Sequence, residues 1–281
     1  MQEPVKISSF SDGARGGNPA GVVIADRLPA ASEMQKVAAD LGFSETAFAA
    51  RDADGGWTVR YYAPEGEVAF CGHATIALGA QLGRLNGAGT YPLHLRDDFI
   101  SVRADPAGDG WKAALQSPAT WSEELDLTLT QELLQNFGLT DADLDTRLRP
   151  ALAFAGVRHA VLPLARRETL SQMEYPFEAV KALMHAHDLV TVSLIFFEGP
   201  RVIHARNAFA SGGVVEDPAT GAAAAALGGL LVDRNWDGLQ GGGAIDIRQG
   251  DDMGMPSRIR VDVTGVPGDS VTVSGAVRWM G

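Results

Sequence analysis

Apolar and polar positions alternate over residues 5–10, and residues 20–25 are almost wholly apolar. The glycine-rich stretch between them ends at Pro19, so the pattern predicts a β-hairpin with a loop over 11–19, in which Asn18-Pro19 is a turn. A helix follows from Ser32, where Ser32 and Gln35 fit a reciprocal capping box, and Gly42 is placed to end it near Leu41. Residues 45–50 and 57–62 read as strands around the Asp/Gly-rich turn 52–56. Residues 72–82 are different in kind. Ala74, Ile76, Ala77, Leu78, Gly79 and Ala80 leave no polar face, and a helix that is apolar all round is buried. Residues 91–115 are strand-rich, with turns at 96–98 and 106–110.

A polar, Leu/Glu-rich crossover over 119–144, with a surface helix near 130–137, leads into a second half with the same grammar. Strands are predicted at 160–164, 190–197, 202–206, 245–249, 257–263 and 270–279, with a helix at 176–187. Residues 218–232 form a second helix without a polar face, containing the run Ala222 to Ala226. Each half thus pairs several strands with one small-residue, apolar helix. Rolling a sheet around such a helix buries the apolar face of both, and small side chains let the sheet close tightly. The expected fold is α+β: two pseudo-symmetric halves, residues 1–118 and 119–281, each a mostly antiparallel sheet around a central helix.

Composition narrows the function. With 46% hydrophobic and 21% charged residues the chain is ordinary globular material. Its formal net charge of -12 disfavours nucleic acid and anionic membrane as partners. An anionic substrate would therefore need a local positive field. A single cysteine, Cys71, excludes internal disulfides and multi-cysteine metal sites. The N-terminus has no apolar signal region, and the most apolar stretch is too short to span a bilayer, so a cytoplasmic location is expected. Dinucleotide, phosphate-loop, zinc-protease and serine-hydrolase signatures are absent, and the scattered histidines predict no metal site.

The two apolar helices draw attention to their entrances. A helix N-terminus presents unpaired N–H groups and partial positive charge, which suits a carboxylate. The first entrance reads Phe70-Cys71-Gly72-His73-Ala74-Thr75, and neither Cys71 nor His73 is a usual cap. The second reads Glu216-Asp217-Pro218-Ala219-Thr220-Gly221. There the simplest reading is structural, with Asp217 as N-cap and Pro218 as first helical residue. Glu45, at the start of a strand, is on pattern alone an exposed strand-end glutamate.

These segments, with Gly17-Asn18-Pro19-Ala20-Gly21-Val22-Val23, Ser44-Glu45-Thr46-Ala47-Phe48, the loop from Gln249-Gly250 to Pro256-Ser257 and Ser274-Gly275, resemble the PhzF-like family of the diaminopimelate-epimerase-like superfamily, in order and over nearly the whole chain. The resemblance implies a homodimeric isomerase that works without metal or organic cofactor on a small carboxylate-bearing metabolite, with its active site between the halves. It implies Glu45 as general acid/base, with His73 and Asp217 lining the site. Asn18, Cys71, Gly72, Thr220, Gly221 and Ala222 would contact substrate. Two departures stand out: Ala222 where the family often has serine, and Met255 where it often has arginine. Cys71 sits where related thiol racemases keep a catalytic cysteine, but the partner thiol, near Pro218, is missing.

Three functions follow as expectations. The first is a one-base proton shift by Glu45, since one carboxylate can serve as base and, once protonated, as acid. The second is an epimerase or racemase with Cys71 as one base. The third is a non-catalytic small-molecule-binding protein on the same scaffold.

Overall fold

In the computed structural model, residues 3–96 and 98–281 are described; Asp97, in the turn expected at 96–98, lies outside them. The first stretch of chain comprises β1 (Val5–Ser9), β2 (Asn18–Ala25), α1 (Ala31–Leu41), β3 (Glu45–Arg51), β4 (Trp57–Ala63), β5 (Gly66–Val68), α2 (Gly72–Asn86), β6 (Gly89–His94), β7 (Phe99–Ala107) and β8 (Gly110–Ala119). There follow β9 (Trp121–Glu124), α3 (Leu127–Asn136), β10 (Ala151–Phe154), β11 (Arg158–Leu164), α4 (Arg167–Ser171), α5 (Phe177–Ala186), β12 (Leu189–Phe197) and β13 (Val202–Ala208). The chain closes with β14 (Glu216–Asp217), α6 (Gly221–Asp233), β15 (Gly243–Gln249), β16 (Ser257–Val263) and β17 (Ser270–Trp279).

Two compact units result: Met1–Gln116 with Ser274–Gly281, and Ser117–Val273. The sequence pattern placed the last strand wholly with the second half. Instead, β17 pairs antiparallel to β1, with Ile7 opposite Trp279, which brings the final residues into the first unit.

In the first unit the strand order is β17-β1-β2-β3-β4-β6-β7-β8, and β8 pairs in turn with β17, closing the sheet on itself. Helix α2 is enclosed by it, and every residue from His73 to Gly83 is buried. Ile76, Leu78 and Leu82 are at most 1% exposed, and each contributes about 1.5–3 kcal/mol by leaving water. Small residues permit the close fit. A Cβ on Gly83 would stand 2.6 Å from the Trp111 ring and 2.7 Å from Ala104.

The second unit orders its strands β9-β10-β11-β12-β13-β15-β16. Helix α6 is buried from Ala223 to Val232 and packs on β9, β10, β11 and β16. Here the sheet is covered on both faces. Leu129, Leu133, Val180 and Met184 of the outer helices meet Ala160, Leu162, Val192 and Leu194 of β11 and β12. On the opposite face Ser193 and Ile195 of β12 stand with Ala223, Ala224 and Leu227 of α6 around one small cavity. Burial on both faces explains why β12 reads as a nearly continuous apolar run.

Several local expectations are corrected. Helix α1 begins at Ala31, not Ser32; its N-cap is Ala30, whose N–H donates to Glu33 Oε2 at 3.0 Å. Gln35 instead donates to the carbonyls of Ala63 and Pro64. Tertiary partners claimed the side chain that local pattern had given to the cap. Asn18 and Pro19 open β2 and pair with Ser9 and Ser8, so they are strand and not turn. Gly42 does end α1, in the left-handed region at φ 67°, with its N–H bonded to Ala38 O.

Candidate active site

The first unit gathers four chain segments around the entrance of α2. Antiparallel pairing sets Asn18 opposite Ser9, and parallel pairing sets Ala20 beside Glu45. Ser9 Oγ donates to the backbone carbonyl of His73 at 2.7 Å, tying the end of β1 to the first turn of α2. Cys71 is the N-cap residue, extended at φ -146°, and makes no side-chain cap to the helix. Its carbonyl accepts both Thr75 N–H (3.0 Å) and Thr75 Oγ (2.7 Å). Thr75 Oγ1 also lies 2.6 Å from the hydroxyl of Tyr61, which is fully buried and whose pKa burial pushes up.

At this entrance a carboxylate, an imidazole, a hydroxyl and a thiol meet. His73 Nε2 lies 3.4 Å from Glu45 Oε2 and 3.3 Å from Ser44 Oγ. Cys71 Sγ lies 3.3 Å from His73 Nδ1. The Glu45 side chain is 19% exposed and that of His73 9%. Glu45 is thus not the solvated strand-end residue its local pattern implied. It begins β3 as expected, but its carboxylate is drawn in against His73. Chemically, this is a carboxylate with limited access to water, close to an imidazole and to a helix N-terminus.

The second entrance is built differently. Helix α6 begins at Gly221 with Thr220 as N-cap, so Asp217 is not the cap and Pro218 is not the first helical residue. Asp217 lies in β14, opposite Asn207 of β13, and its carboxylate accepts Thr220 Oγ at 2.6 Å. Gln249 holds the segment: its amide donates to Asp217 O (2.7 Å) and Thr220 Oγ1 (3.0 Å) and accepts from Thr220 N–H (3.2 Å). Beside it Arg206 pairs with the buried carboxylate of Glu216 at 2.6 Å. Tyr175 donates to Val215 O; its own pKa is pushed up to about 12 by burial and by nearby Glu216. Gly221 and Ala222, in the first turn of α6, are half-buried.

Sequence reasoning named Glu45, His73, Cys71, Gly72 and Asn18, which the structure brings together in the first unit. It also named Asp217, Thr220, Gly221 and Ala222, which stand together in the second. It missed Ser9 and Ser44 as partners of His73, and Gln249 as the brace of the second entrance. Ser9 was detectable only as an inward-facing polar residue in β1. No metal-ligand spacing is visible in the sequence, yet the potential ligand atoms of Glu45, Cys71 and His73 all lie within 4.8 Å of one another. Among the described residues no helix is long and apolar enough to cross a membrane.

Comparison with known proteins places these features in context. The family profile described as phenazine biosynthesis-like protein matches residues 7–280. An uncharacterised isomerase of Deinococcus radiodurans is 33% identical over 98% of this chain and 92% of its own. The trans-2,3-dihydro-3-hydroxyanthranilate isomerase of Pseudomonas fluorescens is 29% identical over 92% of this chain and 88% of its own. Among solved structures, a Bacillus anthracis phenazine biosynthesis protein of the PhzF family superposes with TM-score 0.88 at 21% identity, covering 99% of this chain and 96% of that one. A hydroxyproline epimerase from Agrobacterium vitis superposes at 0.63 with 13% identity, covering 99% and 90% respectively, which shows a shared epimerase-like fold.

Proposed function

Since the chain belongs to the phenazine biosynthesis-like PhzC/PhzF family and is an isomerase of that group, we propose that it moves a proton on a small, unsaturated, carboxylate-bearing metabolite, with Glu45 as the single acid/base. The observation that carries this reading is the Glu45 carboxylate held 3.4 Å from His73 Nε2 at the entrance of a buried helix. Glu45 accepts a proton from carbon beside a double bond. The electron pair shifts along the unsaturated system, and protonated Glu45 returns the proton at its far end. Atoms and charge balance without a cofactor. Ser44 positions His73, which orients the carboxylate, and the N–H at Gly72 offers the substrate carboxylate a positive pole. Asn18 and Cys71 complete the wall of this site in the first unit. A cytoplasmic homodimer is part of the same reading.

The test is solvent-deuterium incorporation, followed by mass spectrometry, with trans-2,3-dihydro-3-hydroxyanthranilate and a panel of small unsaturated carboxylates. Turnover by Glu45→Gln at the wild-type rate would remove the mechanism.

One observation favours a second reading. The 3.3 Å approach of Cys71 Sγ to His73 Nδ1 is a thiol–imidazole pair of the kind that activates a cysteine. Cys71 would then be one base of an epimerase. Full activity in Cys71→Ala eliminates it.

A further inference from the structure

Glu45 and the Cys71/His73 pair are far apart in sequence, yet they supply a carboxylate oxygen, a thiol sulfur and an imidazole nitrogen within 4.8 Å of one another. In a tetrahedral zinc site, zinc–sulfur bonds of about 2.3 Å and zinc–nitrogen or zinc–oxygen bonds of about 2.0–2.2 Å put sulfur and nitrogen about 3.6 Å apart and nitrogen and oxygen about 3.4 Å apart. Here His73 Nε2 and Glu45 Oε2 are 3.4 Å apart, already at that spacing. Cys71 Sγ and His73 Nε2 are 3.9 Å apart, so the thiol has a few tenths of an ångström to close toward the ring and about an ångström at most toward the carboxylate. A small rotation of the cysteine side chain covers this. Three ligands of this mixed set leave a fourth position open to water or a carboxylate, and thiolate with imidazole selects zinc-class ions over magnesium or calcium.

We propose that Glu45, Cys71 and His73 form a binding site for a zinc-class divalent cation, and that the bound ion silences Glu45 as a base by coordinating one carboxylate oxygen and drawing negative charge from the other. Binding displaces the thiol proton to solvent, while the carboxylate and imidazole bind through lone pairs. The metal site itself does not depend on the proposed isomerisation; only its inhibitory consequence rests on that reading. A second group, Asp52, Asp54 and His94, provides an internal control. It is less buried, lacks sulfur, and His94 Nδ1 already lies 2.7 Å from Asp52 Oδ2.

The full chain, chelator-treated and kept reduced, is titrated with Co2+ and followed by absorption. The expected result is a thiolate-to-cobalt charge-transfer band with tetrahedral d–d bands, saturating at one ion per chain and reversed by Zn2+. Cys71→Ala loses the charge-transfer band. Glu45→Gln binds at least about tenfold more weakly, the lower end of what even outer partners of a metal site cost. Asp52→Asn leaves the spectrum unchanged. If circular dichroism shows Cys71→Ala to be misfolded, Cys71→Ser, which keeps the size of the side chain, must lose the same band. Absence of a tetrahedral cobalt spectrum in the wild type, its survival in the folded cysteine variant, or its loss in Asp52→Asn overturns the site. Undiminished deuterium exchange at saturating Zn2+ overturns the inhibition alone. Failure of Glu45→Gln to lose exchange overturns the isomerase mechanism and leaves the cobalt result standing.

Discussion

The entrances of α2 and α6 solve the same packing problem and differ in what they leave available. Both open a helix with a buried, small-residue body inside a sheet. At α6, Asp217 accepts from Thr220, and Gln249 binds both Asp217 and Thr220 with its single amide. At α2, the carboxylate of Glu45 and the thiol of Cys71 approach the two nitrogens of one imidazole. The first arrangement spends its hydrogen-bonding capacity on holding shape. The second keeps a titratable oxygen and a titratable sulfur next to a group that can exchange a proton with either. Similar core helices thus carry a tightly braced entrance at α6 and, at α2, a carboxylate–imidazole–thiol cluster.

The sharpest way to break this contrast is to neutralise Glu45. Glu45→Gln is expected to lower isomerisation by about 10²- to 10⁴-fold, the range of a positioned acid/base, with the thermal unfolding midpoint nearly unchanged. A matching loss of stability would make Glu45 a structural residue like its counterparts at α6.

Acid stability probes the α6 side. His159 of β11 is fully buried, with Nδ1 2.7 Å from Thr191 Oγ1 and no partner for Nε2 among the described residues. Burial pushes its pKa from the ordinary 6.5 down to about 3. In the folded chain it stays neutral, while the unfolded chain takes up a proton near pH 6.5. Stability is thus complete above that pH and declines as pH falls toward 3. Between pH 6.5 and 4.5 this one group should remove about 2–3 kcal/mol. Urea unfolding of His159→Leu should show a correspondingly shallower decline over that window; identical pH slopes in the two proteins would discount the histidine.

Gln249→Leu should cost about 2 kcal/mol in the same assay, because it strands Thr220 N–H and Asp217 O without their partner. If the α6 entrance is mainly a brace, Gln249→Leu also lowers activity in step with the order of the loop. Unchanged stability would contradict the brace. The smallest effect is expected from Gly83→Ala in α2. The new methyl meets Trp111 and Ala104 at 2.6 and 2.7 Å, so overpacking outweighs the helix-propensity gain and leaves a net loss of about 1 kcal/mol. A rise in melting temperature would show that the sheet around α2 has room to spare.

Periodicity and composition were enough for the body of the fold. Helices with no polar face must be buried, and strands that alternate must cover them, so the α+β plan, both core helices and most strands follow from local pattern. Local pattern misplaced the ends. Ser32 and Gln35 satisfy a capping rule, yet Gln35 bonds β4's end; Asp217 and Pro218 satisfy another, yet α6 starts at Gly221. A cap is worth about 1 kcal/mol, and tertiary hydrogen bonds of equal size readily displace it.

The individual site residues were legible mainly through resemblance, because each alone has an ordinary structural role. By itself the sequence determined that two greasy helices would be enclosed by sheets and that their entrances would carry Cys71, His73 and Asp217, since burial of apolar surface depends on residue type and spacing. Only the tertiary structure decided that Glu45 meets His73 and that Gln249 braces Asp217. Those contacts join elements separated along the chain, and their geometry is set by strand register and side-chain packing, which no local pattern encodes.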